Sequence, residues 1–109
     1  MAVLHNIAIQ KGEDAGPKNM LAANLARNAS HQAREASRTV SAYPSLMGHR
    51  VASSAHQLAV AMHRDATRLS QGPVAREHMT SARSHDEAAK AHFDVAQAGA
   101  TAHAAQGAT

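Results

Sequence analysis

Small apolar residues recur every three or four positions along three stretches of the chain, which places them on one face of a helix in each stretch. The first two stripes are Ala22, Ala26, Ala29, Ala33, Ala36 and Val40, and then Ala52, Ala55, Ala59, Met62, Ala66 and Leu69. In the third stretch an alanine is followed three residues later by a histidine, and this unit repeats every seven residues from Ala75 to His92. The pattern predicts three amphipathic helices.

Proline, glycine and serine mark where these helices begin and end. Pro17 and Pro73 stand where a first helical residue is favoured, and Pro44 disfavours helical backbone at the residue before it. Ser45 is a suitable N-cap for the second helix. The predicted helices span residues 17–42, 45–70 and 73–100, with the end of the third between Ala98 and Ala105. Because the connections are short, we expect an up-down-up antiparallel three-helix bundle.

Residues 1–16 differ from the rest of the chain, so we predict an N-terminal arm over 1–16 and a bundle over 17–105. The arm contains both isoleucines, Ile7 and Ile9, and then a stretch rich in turn-forming residues. Three interpretations stay open: a short strand that pairs with a second chain, an extended arm that lies on the bundle, and a poorly ordered terminus.

The composition favours an all-α fold with a thin hydrophobic core. The 109 residues include 27 alanines and only two aromatic residues, Tyr43 and Phe93. Alanine is the best helix former but buries little apolar area, and a β-sandwich or barrel would need many more β-branched and aromatic residues. Since few large side chains cover three long helices, we expect the protein to form a homo-oligomer.

Several classes of protein are excluded by what the sequence lacks. Without cysteine the chain has no disulfide, no thiolate metal site and no thiol nucleophile. No apolar run approaches the ~20 residues that span a bilayer, and the first ten residues lack the features of a secretory signal, so we expect a cytoplasmic protein. No phosphate-binding loop or nucleophile motif is present, and we expect a protein that is not an enzyme.

The formal net charge is +3, with nine histidines counted as neutral. The arginines are spread over all three predicted helices with no run of like charge. The small excess of basic residues is thus the sole support for nucleic-acid binding, because the sequence shows neither a basic cluster nor an aromatic residue placed to stack on bases.

Six of the histidines form two series at heptad spacing. They are His49, His56 and His63 in the second predicted helix, and His78, His85 and His92 in the third. A random placement gives roughly 0.6 histidine pairs seven residues apart, whereas this sequence has four. Each series lies along one line of its helix with ~10.5 Å between neighbours, so a shared metal ion would need ligands from more than one helix.

The two series match in register across an antiparallel hairpin. From one level of the hairpin to the next, the residue number rises by seven on one helix and falls by seven on the other. Three His–His pairs are therefore predicted at successive levels. They are His49 with His92, His56 with His85, and His63 with His78. We rank the middle pair above the outer two as a metal site, because helix ends fray.

A third column is predicted on the first helix, where Asn24, His31 and Arg38 are also seven residues apart. The middle level would then hold His31, His56 and His85, and three neutral imidazoles with one open position suit zinc, copper or nickel. His31 also lies far around its helix from the alanine stripe, which favours a solvated position instead.

The sequence leads to a non-enzymatic metal-ion-binding helical protein with a histidine-lined helix interface. The candidate ligands are His56, His85, His63, His78, His49, His92 and His31, and the candidate ions are zinc, copper or nickel. One alternative is a metal-free helical interaction or oligomerisation protein with pH-sensitive histidines, or with histidine as an ordinary polar surface residue. Another is a weakly basic nucleic-acid-binding module.

Overall fold

The computed structural model describes residues 17–107, with the side chains of 19–101, and all of its regular structure is helical. The helices are α1 (Pro17–Ala42), α2 (Leu46–Arg68) and α3 (Gly72–Gly107). α2 packs on both of the other helices. The all-α prediction is confirmed for this part of the chain, and the predicted N-terminal arm, 1–16, lies outside it.

The connections form as their residues predict. Ser45 is the N-cap of α2, and its side chain accepts a hydrogen bond from the backbone N–H of Gly48 at 2.9 Å. Gly72 has φ of 58°, a left-handed conformation that glycine adopts without strain, and Pro73 follows it in the first turn of α3.

α3 extends two residues beyond the predicted limit of Ala105 and ends at Gly107. Gly99 does not end it, because a glycine inside a helix costs only about 1 kcal/mol relative to alanine and the surrounding alanines favour the helix. None of the three helices in the described part of the chain is long and apolar enough to cross a membrane.

The start of α2 lies very close to the end of α1. A β-carbon added to Gly48 would lie 2.8 Å from Cγ2 of Val40 and 2.9 Å from Oγ of Ser45. Glycine is therefore required at this position by the approach of the two helices.

Alanine forms the contact between α1 and α2. Ala26, Ala33 and Ala59 are completely buried, and the half-buried Met62 packs against both clusters that these residues build. Such short side chains let helix axes approach closely, but each buried methyl group contributes little hydrophobic free energy. Most of the large apolar side chains are exposed to solvent, including Leu21, Val51, Leu58 and Phe93.

Candidate functional site

Three histidine pairs lie between α2 and α3, and each pair meets through its Nδ1 atoms. The Nδ1–Nδ1 distance is 2.9 Å for His49 and His92, 2.7 Å for His56 and His85, and 2.9 Å for His63 and His78. These are the pairs that the heptad register predicts. As the numbers on α2 rise those on α3 fall, so the two helices run in opposite directions along the interface.

Two serines of α1 join successive pairs. Oγ of Ser30 lies 2.6 Å from Nε2 of His63 and 2.8 Å from Nε2 of His85. Seven residues later, Oγ of Ser37 lies 2.7 Å from Nε2 of His56 and 3.0 Å from Nε2 of His92. We call the resulting network the histidine ladder; it consists of Ser30, Ser37, His49, His56, His63, His78, His85 and His92.

The rings of the ladder also stack between levels. His56 and His92 are nearly parallel at 17°, with centroids 5.7 Å apart, and His63 and His85 repeat this arrangement at 19° and 5.7 Å. Within a pair the rings are tilted instead, by 39° for His56 and His85. Tilted pairs and stacked pairs therefore alternate along the ladder and fix the orientation of each ring.

Burial differs along the ladder. His56, His63, His78 and His85 are buried, at 0–8% exposure, whereas His49 and His92 are half-buried. The interpretation of histidine as a polar surface residue is therefore wrong for the four inner rings. His49 also borders an open cleft together with Ser45, Leu46 and Val95.

The surroundings favour neutral rings. Burial, then the facing His56 and finally Arg34 of α1, lower the pKa of His85 to about 4. Burial and the neighbouring His92 lower the pKa of His56 from its ordinary value. The pKa of His92 is lowered in the same way by burial and by His49. These rings are neutral at pH 7, and each has one N–H to donate and one bare nitrogen to accept.

The predicted third column does not enter the interface. His31 is exposed, as are Asn24 and Arg38, and Arg38 forms an ion pair with Glu35 on the surface of α1. The inner positions are occupied by Ser30, one residue before His31, and Ser37, one residue before Arg38. The signal for these serines was present in the sequence, because they share the heptad spacing and lie beside the alanine stripe of α1.

The ladder provides pairs of nitrogen ligands rather than larger sets. Within the described range, no three His, Asp or Glu side chains are arranged to hold a metal ion. Two nitrogens bound to one tetrahedral zinc at ~2.0–2.1 Å are separated by about 3.3 Å. The observed Nδ1–Nδ1 distances of 2.7–2.9 Å are shorter. They fit a hydrogen bond, and a metal ion would have to move the rings apart.

α2 and α3 share one further buried polar contact. Ser53 of α2 donates a hydrogen bond from Oγ to the carbonyl oxygen of Ala89 on α3, at 2.9 Å.

Comparison of the chain with protein-family models, with curated proteins and with solved structures finds no match.

Proposed function

We propose that this protein is a non-enzymatic helical interaction protein whose fold responds to pH through the histidine ladder. The observation that carries the proposal is the continuous set of hydrogen bonds among mostly buried imidazoles, which joins all three helices. The unit we propose is an up-down-up bundle, which the order of residues along the ladder supports.

Protonation conflicts with the geometry of a pair. A neutral ring can accept a hydrogen bond at the nitrogen that lacks a proton, but an imidazolium ring has two N–H groups and no acceptor. If both His56 and His85 were protonated, two N–H groups would face each other across 2.7 Å, and two positive charges would repel in a buried site. Acid therefore works against the contact between α2 and α3.

The charges around His85 act in the same direction. α2 contributes the facing His56 and the stacked His63, and α1 contributes Arg34 together with the neutral Ser30. None of these groups is an acid that could stabilise an imidazolium. Because the unfolded chain binds protons near pH 6.5, its proton uptake below that value removes stability from the folded state.

Denaturant unfolding of the untagged protein between pH 8 and pH 5 tests this proposal. The pKa of His85 is lowered to about 4, so the free energy of unfolding should be greatest above pH 6.5 and fall as the pH is lowered towards 4. An unfolding free energy that does not change between pH 8 and pH 5 would overturn the proposal.

Self-association belongs to the same proposal. It is supported by large apolar side chains on the surface of the described helices. They are Leu21, Leu25, Tyr43, Met47, Val51, Leu58, Leu69, Met79, Phe93 and Val95. Monomeric proteins rarely expose extended apolar patches, so covering part of this surface with another copy is favourable.

Metal binding is the second candidate, and the facing Nδ1 atoms of the histidine pairs favour it. Zinc, copper and nickel accept imidazole ligands, but a two-nitrogen site needs further ligands such as water. The half-buried pair of His49 and His92 borders an open cleft, whereas His56 and His85 are at most 8% exposed. We therefore propose the outer pair as the metal candidate, in place of the middle pair that the sequence favours.

A further inference from the structure

The hydrogen bonds of the histidine ladder connect its eight residues in a single order. This order is His78, His63, Ser30, His85, His56, Ser37, His92 and His49. Seven contacts of 2.6–3.0 Å link these eight residues, alternating between Nδ1 pairs and serine bridges. Each interior ring is contacted once at Nδ1 and once at Nε2.

The number of protons restricts how these contacts can be made. A neutral imidazole carries one N–H, whereas a serine hydroxyl has one proton and can accept up to two hydrogen bonds. Among the described residues, Ser30 and Ser37 each contact only the two rings that they bridge, so a hydroxyl proton has an acceptor only when the serine donates to one ring and accepts from the other. Each link needs one proton, so a ring that donates through Nδ1 must accept through Nε2, and its neighbour must do the opposite. Choosing the donor in one link therefore fixes the donor in every other link.

We propose that the ladder has only two directional states, so that the tautomers of its six histidines change together. In one state every ring of α3 carries its proton on Nδ1 and every ring of α2 carries it on Nε2. In the other state the assignments are exchanged between the two helices. A mixture within one helix would leave a link without a proton, a link with two protons, or a serine proton without an acceptor in the ladder.

The positions of the two ends show what this coupling of tautomers can do. His49 is half-buried beside the open cleft, whereas His78 is only 1% exposed. A hydrogen-bonding group that binds at His49 would thus set the tautomer of rings in the interior, two levels away along the bundle. This inference uses the same residues as the proposed function, but it concerns the neutral ladder and not its response to acid.

Nitrogen-15 NMR of the histidine rings at pH 8 tests the inference, because neutral tautomers are distinguished by their Nδ1 and Nε2 chemical shifts. We expect the three α2 histidines of the ladder to share one tautomer ratio and the three α3 histidines to show the inverse ratio. Exchange between the states should have one rate for all six rings. Different ratios within one helix would overturn the inference, whether or not the protein proves sensitive to acid.

Ser37→Ala supplies the second measurement, since it removes the serine whose hydrogen bonds join the outer pair to the four inner rings. His49 and His92 should then show a ratio independent of the other four, while Ser37→Thr, which keeps the hydroxyl, should restore the common ratio. Ser54→Ala on the exposed side of α2 is the control and should change nothing. An outer pair whose tautomer ratio still follows that of the inner rings in Ser37→Ala would contradict coupling through Ser37.

Discussion

Oγ of Ser30 lies 2.8 Å from Nε2 of His85, and this contact ties α1 to α3 although the residues are 55 positions apart in the chain. Both side chains are buried. The same oxygen contacts His63 of α2, so a single hydroxyl group connects all three helices. The arrangement of the bundle is thus specified by polar groups at the position where most small proteins place large apolar side chains.

The pH dependence of stability should depend on His85. His85→Gln removes a ring whose pKa is lowered to about 4 by burial, by His56 and by Arg34, so the loss of stability between pH 7 and pH 5 should shrink by on the order of 2 kcal/mol. The sign follows because the unfolded chain takes up this proton near pH 6.5 and the folded chain does not. His31→Gln on the exposed face of α1 is the control, and denaturant unfolding at both pH values measures the difference. Equal losses in the two variants would count against the assignment.

Ser81 and Ser53 should respond in opposite ways to replacement by alanine. Oγ of Ser81 is buried and has no hydrogen-bond partner among the described residues, so Ser81→Ala should stabilise the protein by roughly 0.5–1 kcal/mol. Ser53→Ala removes the hydrogen bond to the carbonyl oxygen of Ala89 and should destabilise it by about 1 kcal/mol. Thermal unfolding at pH 8 compares them, and a loss of stability in Ser81→Ala would show that its hydroxyl is satisfied.

Two glycines in helices provide a matched test of close packing. Gly48→Ala would place a methyl group 2.8 Å from Val40, which should cost about 1–3 kcal/mol. Gly99→Ala meets only Leu46 at an ordinary 3.5 Å and should stabilise α3 by up to about 1 kcal/mol. Helical circular dichroism during thermal unfolding measures both, and similar effects of the two substitutions would mean that α1 and α2 do not approach as closely as described.

Metal binding should depend on the outer pair. Calorimetric titration with zinc, copper or nickel measures the heat of binding. Most of this heat should be lost in His92→Ala, because one of the two facing Nδ1 ligands is gone. His85→Ala should reduce it less and His31→Ala not at all, since His31 is exposed and apart from the pairs. If wild type and His92→Ala give equal heats with every ion, the metal candidate is wrong.

Self-association should depend on the apolar surface of α1 and α2. Leu21 and Leu25 border a cleft with Met62 and Leu69, and Leu21→Gln with Leu25→Gln should shift the protein towards monomer in sedimentation velocity at pH 8. Asn28→Gln, at an exposed position of the same helix, is the control. A wild-type protein that sediments as a monomer at high concentration would exclude the homo-oligomer.

The sequence was sufficient for the helices and for the pairing of the histidines. The helix ends could be predicted because Pro17, Pro44 and Gly72 restrict the backbone locally. The histidine pairs could be predicted because a heptad repeat on each of two antiparallel helices leaves few possible registers. The serine bridges were not predicted, because His31 is a better metal ligand than its neighbour Ser30 and shares the same heptad spacing. Residues one apart on a helix differ in direction by about 100°, and only the packing of α1 decides which of them faces inward.

Alanine at the α1–α2 contact affects how this protein can lose its order. An alanine side chain has no rotamers to freeze on folding, so Ala26, Ala33 and Ala59 are ordered as soon as their backbone is. Molten globules arise when helices persist while core side chains become disordered. In this protein the core side chains that can become disordered are mainly the imidazole rings. An acid-expanded form should thus keep its helices while the NMR signals of the histidine protons lose dispersion, because the rings of the ladder no longer have fixed positions.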